Sequence, residues 1–252
     1  MTQYQAVIET LERLGGIATL AKLYQEVFKI EECQWKTKTP FASIRQIVQI
    51  RPEIFKVRPG LWALESHRQQ LESIGAIPSE ARGTKAEDTL FTHSYYQGLL
   101  VEIGKMKQLG TFVPAQDRNK MCANHRLGDM ISVAKMPQFT YPELVSRSST
   151  IDVIWFDNCP LADEAIMPNA FFEVEHSTDI QNSLLKYLDL NWFNTKMFIV
   201  ADDKRHDEFD KKMRYSAFEA FKKDKRVEFL SYASLLKLYD HLSEETKLNL
   251  AI

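Results

Sequence analysis

Apolar positions recur three and four residues apart through the first fifty residues, the spacing of helices that bury one face. Val7, Ile8, Leu11 and Leu14 mark a first helix, which Gly15-Gly16 ends. Thr19 is placed to cap a second, "LAKLYQEVFKI", with Leu20, Leu23, Tyr24, Val27 and Phe28 on one face. A third begins at Thr39-Pro40 and turns Phe41, Ile44, Ile47 and Val48 inward, leaving Ser43, Arg45, Gln46 and Gln49 outside. Pro52 breaks it. "IFKV-RPG-LWAL" then reads as two short strands around a turn. Residues 65–90 lose this periodicity and scatter Gly, Pro and Ser among polar residues, as the seam between two domains does.

Beyond the seam the period alternates between helix and strand. Residues 93–109 read as a helix, 111–116 as a short strand, and a loop-rich stretch runs to about residue 149. "TIDVIWFD" (150–157) and "AFFEVEHS" (170–177) read as strands, and Thr178-Asp179 cap a helix over "IQNSLLKYLDL". "KMFIVAD" (196–202) is apolar almost throughout, the pattern of a strand covered on both faces. A charged helix over about 206–222, a strand at 227–232 and a helix from Ala233 complete an α/β sandwich around a central mixed sheet. The boundaries expected are 1–66 for the first domain, 67–90 for a linker and 91–252 for the second.

Composition narrows the class. The chain of 252 residues is 44% hydrophobic and 26% charged, so folded domains are expected rather than disorder. A net charge of −2 argues against polyanion binding by the whole surface. Residues 1–68, however, carry ten Lys and Arg against seven Asp and Glu, a local excess of three. Cys33, Cys122 and Cys159 form no C-x-x-C pair, which favours a reducing compartment over disulfides or a thiolate zinc site. No apolar run approaches a membrane span, and the first residues do not read as a signal peptide, so the expected location is cytoplasmic.

The chemistry concentrates in two places. Three helices and a hairpin make a winged helix-turn-helix; Arg45, Gln46 and Gln49 suit base edges, with Ser43 beside them and Lys56 and Arg58 on a phosphate-contacting wing. A protein-binding module with a solvated outer face is the bland alternative. In "FFEVEHST" the strand period puts Glu173 and Glu175 on one face, about 7 Å apart. If the strand carrying Asp152 is their neighbour, three carboxylates converge. Oxygen ligands from Asp152, Glu173 and the Val174 carbonyl would suit a hard divalent cation. Glu102, inside the apolar arc of its helix, is a fourth candidate. Taken singly, each of these residues is more often structural; their order and spacing lift them. The 204–226 segment carries nine Lys and Arg against five Asp and Glu, suited to a phosphate backbone or to a solvated face.

"PFASIRQIVQIRPEIFKVRPGLWAL" resembles the winged-helix module of HARE-type and related bacterial DNA-binding domains. The order of elements over about 90–235, with "IDVIWF" and "FFEVEHS", resembles the PD-(D/E)XK nuclease superfamily and its α-β-β-β-α-β core. The departure is Glu175 at the lysine position; some restriction enzymes of that superfamily carry E-x-E there. The resemblance implies Asp152, Glu173 and the Val174 carbonyl as ligands of Mg2+, with Mn2+ as a substitute. It implies Glu175 on the attacking water or a second metal, Glu102 as the acidic residue of the first core helix, and Gln181 and Tyr187 along the DNA cleft. The implied protein is a metal-dependent, site-specific, restriction type II-like endonuclease of double-stranded DNA, acting as a homodimer and sensitive to or dependent on DNA modification. Alternatives are a DNA-binding regulator whose nuclease fold has lost its chemistry and a nuclease of RNA or repair intermediates.

Overall fold

The computed structural model describes residues 1–78, 85–159 and 165–248, and divides into two compact units. The first comprises Met1–Phe91, Met121–His125 and the segment from Leu236; the second comprises Thr92–Lys120 and Arg126–Leu235. Among the described residues no helix is long and apolar enough to cross a membrane.

In the first unit α1 (Gln3–Arg13) opens on a capping box. The Gln5 amide donates to Thr2 Oγ1 at 3.2 Å and the Thr2 amide to Gln5 Oε1 at 2.9 Å. Gly15 and Gly16 end it at φ of +80° and +85°, a region costly for any residue with a Cβ. The chain then forms β1 (Ile17–Thr19), a three-residue strand too short to register in the apolar pattern. Thr19 caps α2 (Leu20–Glu26), accepting from the Lys22 amide at 3.2 Å. α3 (Pro40–Ile50) has its proline in the first turn, whereas Thr39 makes no side-chain cap. β2 (Ile54–Arg58) and β3 (Leu61–Leu64) pair as an antiparallel hairpin, and β1 adds to β3, giving the order β1-β3-β2. Leu11, Leu23, Tyr24, Ile44 and Val48 fill the core between helices and sheet.

The expected linker is not featureless. Its first half forms α4 (Arg68–Ser73) and buries Leu71, Ala76 and Ile77. Residues 79–84 lie outside the described residues.

The remaining elements in chain order are α5 (Lys85–Met106), β4 (Gly110–Phe112), the two-residue strands β5 (Met121–Cys122) and β6 (His125–Arg126), α6 (Leu127–Met130), α7 (Pro142–Ser148), β7 (Val153–Asn158), β8 (Ile166–Glu175), α8 (Ile180–Asp189), β9 (Lys196–Ala201), α9 (His206–Met213), α10 (Glu219–Asp224), β10 (Val227–Ser231) and α11 (Tyr232–Leu248). Two of the four unit boundaries fall inside α5 and α11. In the second unit, five strands form a mixed sheet in the order β10-β9-β8-β7-β4. β8, β9 and β10 run parallel; β7 is antiparallel to both β8 and β4.

Ile154, Phe156 and Phe171 meet Leu184 and Tyr187 of α8 on one face of this sheet. On the other, Trp155 donates from its indole to the Leu100 carbonyl of α5 at 2.9 Å. The charged helix expected over 206–222 is broken into α9 and α10, because Phe209, Phe218 and Phe221 must all reach the same core.

Candidate active site

β7 and β8 pair with Val153 opposite Phe172 and Ile154 opposite Phe171. One step further along this register sets Asp152 opposite Glu173, and side chains directly opposite on antiparallel strands share a face. Glu175, two residues on, shares it too. The strand alternation that buries Phe171 against α8 therefore carries both glutamates to the α8 side. Asp152, Glu173 and Glu175 are all buried. The Val174 amide donates to Asp152 Oδ2 at 2.8 Å, tying the aspartate to the strand that bears the glutamates.

α8 answers the carboxylates with a hydroxyl and a cation. Asp179 caps it by accepting from the Gln181 amide at 2.9 Å, which sets where its first turn begins. Ser183 and Lys186 then fall three residues apart on the face toward β8. Lys186 Nζ lies 3.0 and 2.8 Å from the two oxygens of Glu173. Ser183 Oγ reaches Glu173 Oε2 at 3.2 Å and also bonds Glu175 Oε1. One hydroxyl proton serves one acceptor at a time, so the pair is held most securely when one glutamate is protonated. Thr178 donates to the other oxygen of Glu175, and Arg205 Nη1 donates to the Glu175 carbonyl at 3.0 Å.

Burial, then the charge of Asp152, pushes Glu173 well above the ordinary carboxylate range, with Lys186 opposing. Burial likewise raises Glu175, against the hydroxyls of Ser183 and Thr178. Burial works to lower Lys186, but the charge and hydrogen bond of Glu173, with the charges of Asp152 and Glu175, together shift it upward. The arrangement is thus three buried carboxylates sharing one ammonium.

α5 supports this cluster through residues that spacing alone did not single out. His93 Nε2 lies 3.1 Å from Asp152 Oδ2. One turn on, Gln97 donates from Nε2 to the Asp152 carbonyl at 3.1 Å and to Asp117 Oδ2 at 2.7 Å. Lys120 pairs with Asp117 Oδ1 at 2.6 Å. Burial works to lower the His93 pKa, but its hydrogen bond to Asp152 and the charges of Asp152 and Asp117 together shift it upward. Glu102 follows His93 by nine residues, half a turn round the helix, so the face of α5 toward Asp152 is that of His93 and Gln97. Tyr187, expected along a cleft, is instead fully buried and donates to the Phe198 carbonyl at 2.7 Å. Gln181 Oε1 accepts from Lys212 at 3.0 Å. Among the described residues no three His, Cys, Asp or Glu side chains are grouped so as to hold a metal ion by themselves.

In the first unit Arg45, Gln46 and Gln49 are exposed along α3, Ser43 is half-buried, and Lys56 is exposed on β2. Arg58 departs from expectation. Its Nε and Nη2 are buried and its guanidinium lies 5.3 Å from the Phe91 ring centroid, so it packs inward rather than presenting a charge to phosphate. Much of the 204–226 charge is also spent within the protein. Arg205 pairs with Glu208, Lys222 with Glu219, and Arg226 donates to the Asn191 and Thr195 carbonyls.

A five-stranded mixed sheet between helices, with its buried polar cluster where β7 meets β8, is compatible with a restriction-endonuclease-like fold. The family model of the Type II restriction enzyme NmeDI C-terminal domain matches residues 76–251, a span that includes the whole cluster, and the chain belongs to that family. No curated protein and no solved structure matches the chain.

Proposed function

We propose that the protein is a site-specific endonuclease of double-stranded DNA, of the PD-(D/E)XK kind, with Asp152, Glu173, Glu175 and Lys186 as its catalytic centre. The observation that carries this reading is the pairing of Lys186 with Glu173 beside Asp152. The lysine that the strand motif lacks is supplied from α8, thirteen residues later. That pairing also weakens the reading of a DNA-binding regulator with a dead site, whose support was the missing lysine. The roles assigned are Asp152 and Glu173 as acceptors of a divalent cation, with the Val174 carbonyl beside them, and Lys186 and Glu175 as the groups that orient the attacking water. Glu102 keeps at most a supporting place on α5.

The donor set fits Mg2+. All of its candidate ligands are oxygens, and three carboxylates against one lysine leave excess negative charge in a buried place. Magnesium is typically held by one or two protein carboxylates, water and substrate phosphate, so a two-carboxylate site is enough. When bound, the cation would polarise the scissile phosphate and stabilise its developing charge. The chain's own residues do the rest. The Val174 amide fixes Asp152, Ser183 and Thr178 fix Glu175, and Lys186 places a positive charge where an oxyanion forms.

The first unit serves as a winged helix-turn-helix reader. Helices α1 to α3, the sheet order β1-β3-β2 and the exposed Arg45, Gln46 and Gln49 on α3 support a helix laid in the major groove, with Lys56 on the wing. Cutting both strands needs two centres, which favours a homodimer on a two-fold site.

The test is incubation of methylated and unmethylated plasmid with the protein in Mg2+ or Mn2+. Discrete fragments are expected, and the plasmid that yields them reports the dependence on modification. Intact DNA in every lane, alongside a clear gel shift, would overturn the nuclease reading in favour of the regulator.

A further inference from the structure

A cleft of about 520 Å³ opens in the second unit, between the end of β4, the turn at 114–118, residues 134–138 and the turn before Asp152. Thr150, on its wall, lends its carbonyl to Lys186 Nζ at 3.4 Å, so the cleft adjoins the catalytic cluster. Among its lining residues Phe112 is buried in the core and Met136 is half-buried against that core. Arg118 braces it rather than offering a free charge, donating to the Val113 carbonyl at 3.4 Å and the Ala134 carbonyl at 2.7 Å, with its guanidinium 5.5 Å from the Phe112 ring centroid.

Three polar side chains on the rim are uncommitted. Gln116, Lys135 and Gln138 are exposed and make no hydrogen bond or ion pair to another described residue. Two amides and one ammonium around one cleft are suited to a nucleotide. The amides each offer a donor and an acceptor to a base edge, adenine being the closest match, and the ammonium meets a phosphate. The volume lies within the range of sites that enclose small organic groups.

We propose that this cleft holds a nucleotide flanking the scissile phosphate, and that Gln116 and Gln138 are specificity-determining residues that read its base, with Lys135 on its phosphate. The proposal rests on the DNA-binding reading of the protein and adds a second reader, independent of α3.

The experiment selects bound duplexes from a randomised pool with the full-length protein, in Ca2+ so that binding is read without cutting. Wild type is compared with Gln116→Ala/Gln138→Ala and with Lys135→Ala. The double variant is expected to keep the wild-type preferences except at one position per half-site, where discrimination falls about tenfold, as the loss of a good amide-to-base contact does. Lys135→Ala is expected to keep every preference and to flatten the salt dependence of binding by about one counterion. Unchanged preferences in the double variant, with an unchanged melting temperature, would overturn the proposal. A uniform loss of affinity at every position would overturn it as well. Cutting of the same pool by wild type in Mg2+ tests the nuclease reading separately, since the binding comparison stands whether or not the protein cuts.

Discussion

Glu173 is the residue on which stability and chemistry pull in opposite directions. It is fully enclosed, faces Asp152 and Glu175, and keeps its proton to higher pH than an unfolded chain would. From the ordinary carboxylate range up to that raised value, the folded state binds more protons than the unfolded state, so stability falls as pH rises through that window. Glu173→Gln removes this slope. In the absence of divalent ions the variant should melt higher than wild type at pH 8, by an amount that shrinks as pH is lowered, while cleavage disappears. A calorimetric pH series checks it, and a variant less stable than wild type at every pH would contradict the assigned repulsion. Lys186→Met works in the other direction. Glu173 loses the cation paired with it, and cleavage should drop by about a hundred- to a thousandfold, the typical effect of removing one preorganised charge. Single-turnover rates measure that loss. Neither Lys186 nor His93 was legible from spacing. Each sits on a helix whose approach to β7 and β8 depends on tertiary packing, and a lone lysine at the border of the buried arc of α8 looks like any other solvated one. Glu173 and Glu175 were legible because the strand period fixes their shared face without reference to the rest of the fold, whereas Asp152 joins them only through the pairing of β7 with β8.

Elements with a strong period emerged from the sequence nearly whole. α1, α3, the hairpin, β9 and β10 fall within a residue or two of their expected limits, whereas α2 ends at Glu26 and its expected last turn is a 3-10 turn over Val27–Lys29. β1 was missed because three residues cannot show a period. The break between α9 and α10 was missed because charge pattern alone does not reveal which phenylalanines must turn inward. β8 begins four residues before its expected start, since pairing with β7 extends it through Met167 and Pro168, which lack an apolar alternation. The contact between α5 and the sheet depends on Gly104, where an added Cβ would stand 2.5 Å from Thr111 Cγ2 and 2.7 Å from the Trp155 indole nitrogen. Alanine in a helix ordinarily gains about 1 kcal/mol over glycine. Here the sign should reverse, with Gly104→Ala destabilising by about 1–3 kcal/mol as overpacking does. Denaturant unfolding settles it, and a more stable variant would mean that α5 does not press so closely on β4 and β7.

For the molecule as a whole, the functional reading joins a unit that recognises duplex to one that cuts it. A modest reader raises the effective concentration of DNA at the catalytic unit, which lets a weakly binding nuclease become site-directed. The distribution of charge supports this division: the excess of three positive charges lies in residues 1–68, within a chain of net charge −2. Removing the Lys56 charge with Lys56→Ala should weaken binding uniformly across sequences and lower the salt slope by about one, whereas Arg45→Ala should relax preference at one base position at a cost of about 1–3 kcal/mol. Fluorescence titrations of paired duplexes at several salt concentrations separate the two. Arg58→Ala, in contrast, should leave the salt slope unchanged, because its guanidinium is spent on Phe91.

On the proposed function, Asp152 and the Glu173–Lys186 pair form a phosphodiester-cutting centre. The most direct measurement is the single-turnover cleavage rate of wild type and Asp152→Asn in Mg2+, with DNA affinity and melting temperature taken on the same preparations. Wild type should cleave and the variant should not, while the variant should still fold and still bind DNA. Equal rates for the two proteins would contradict the proposed function.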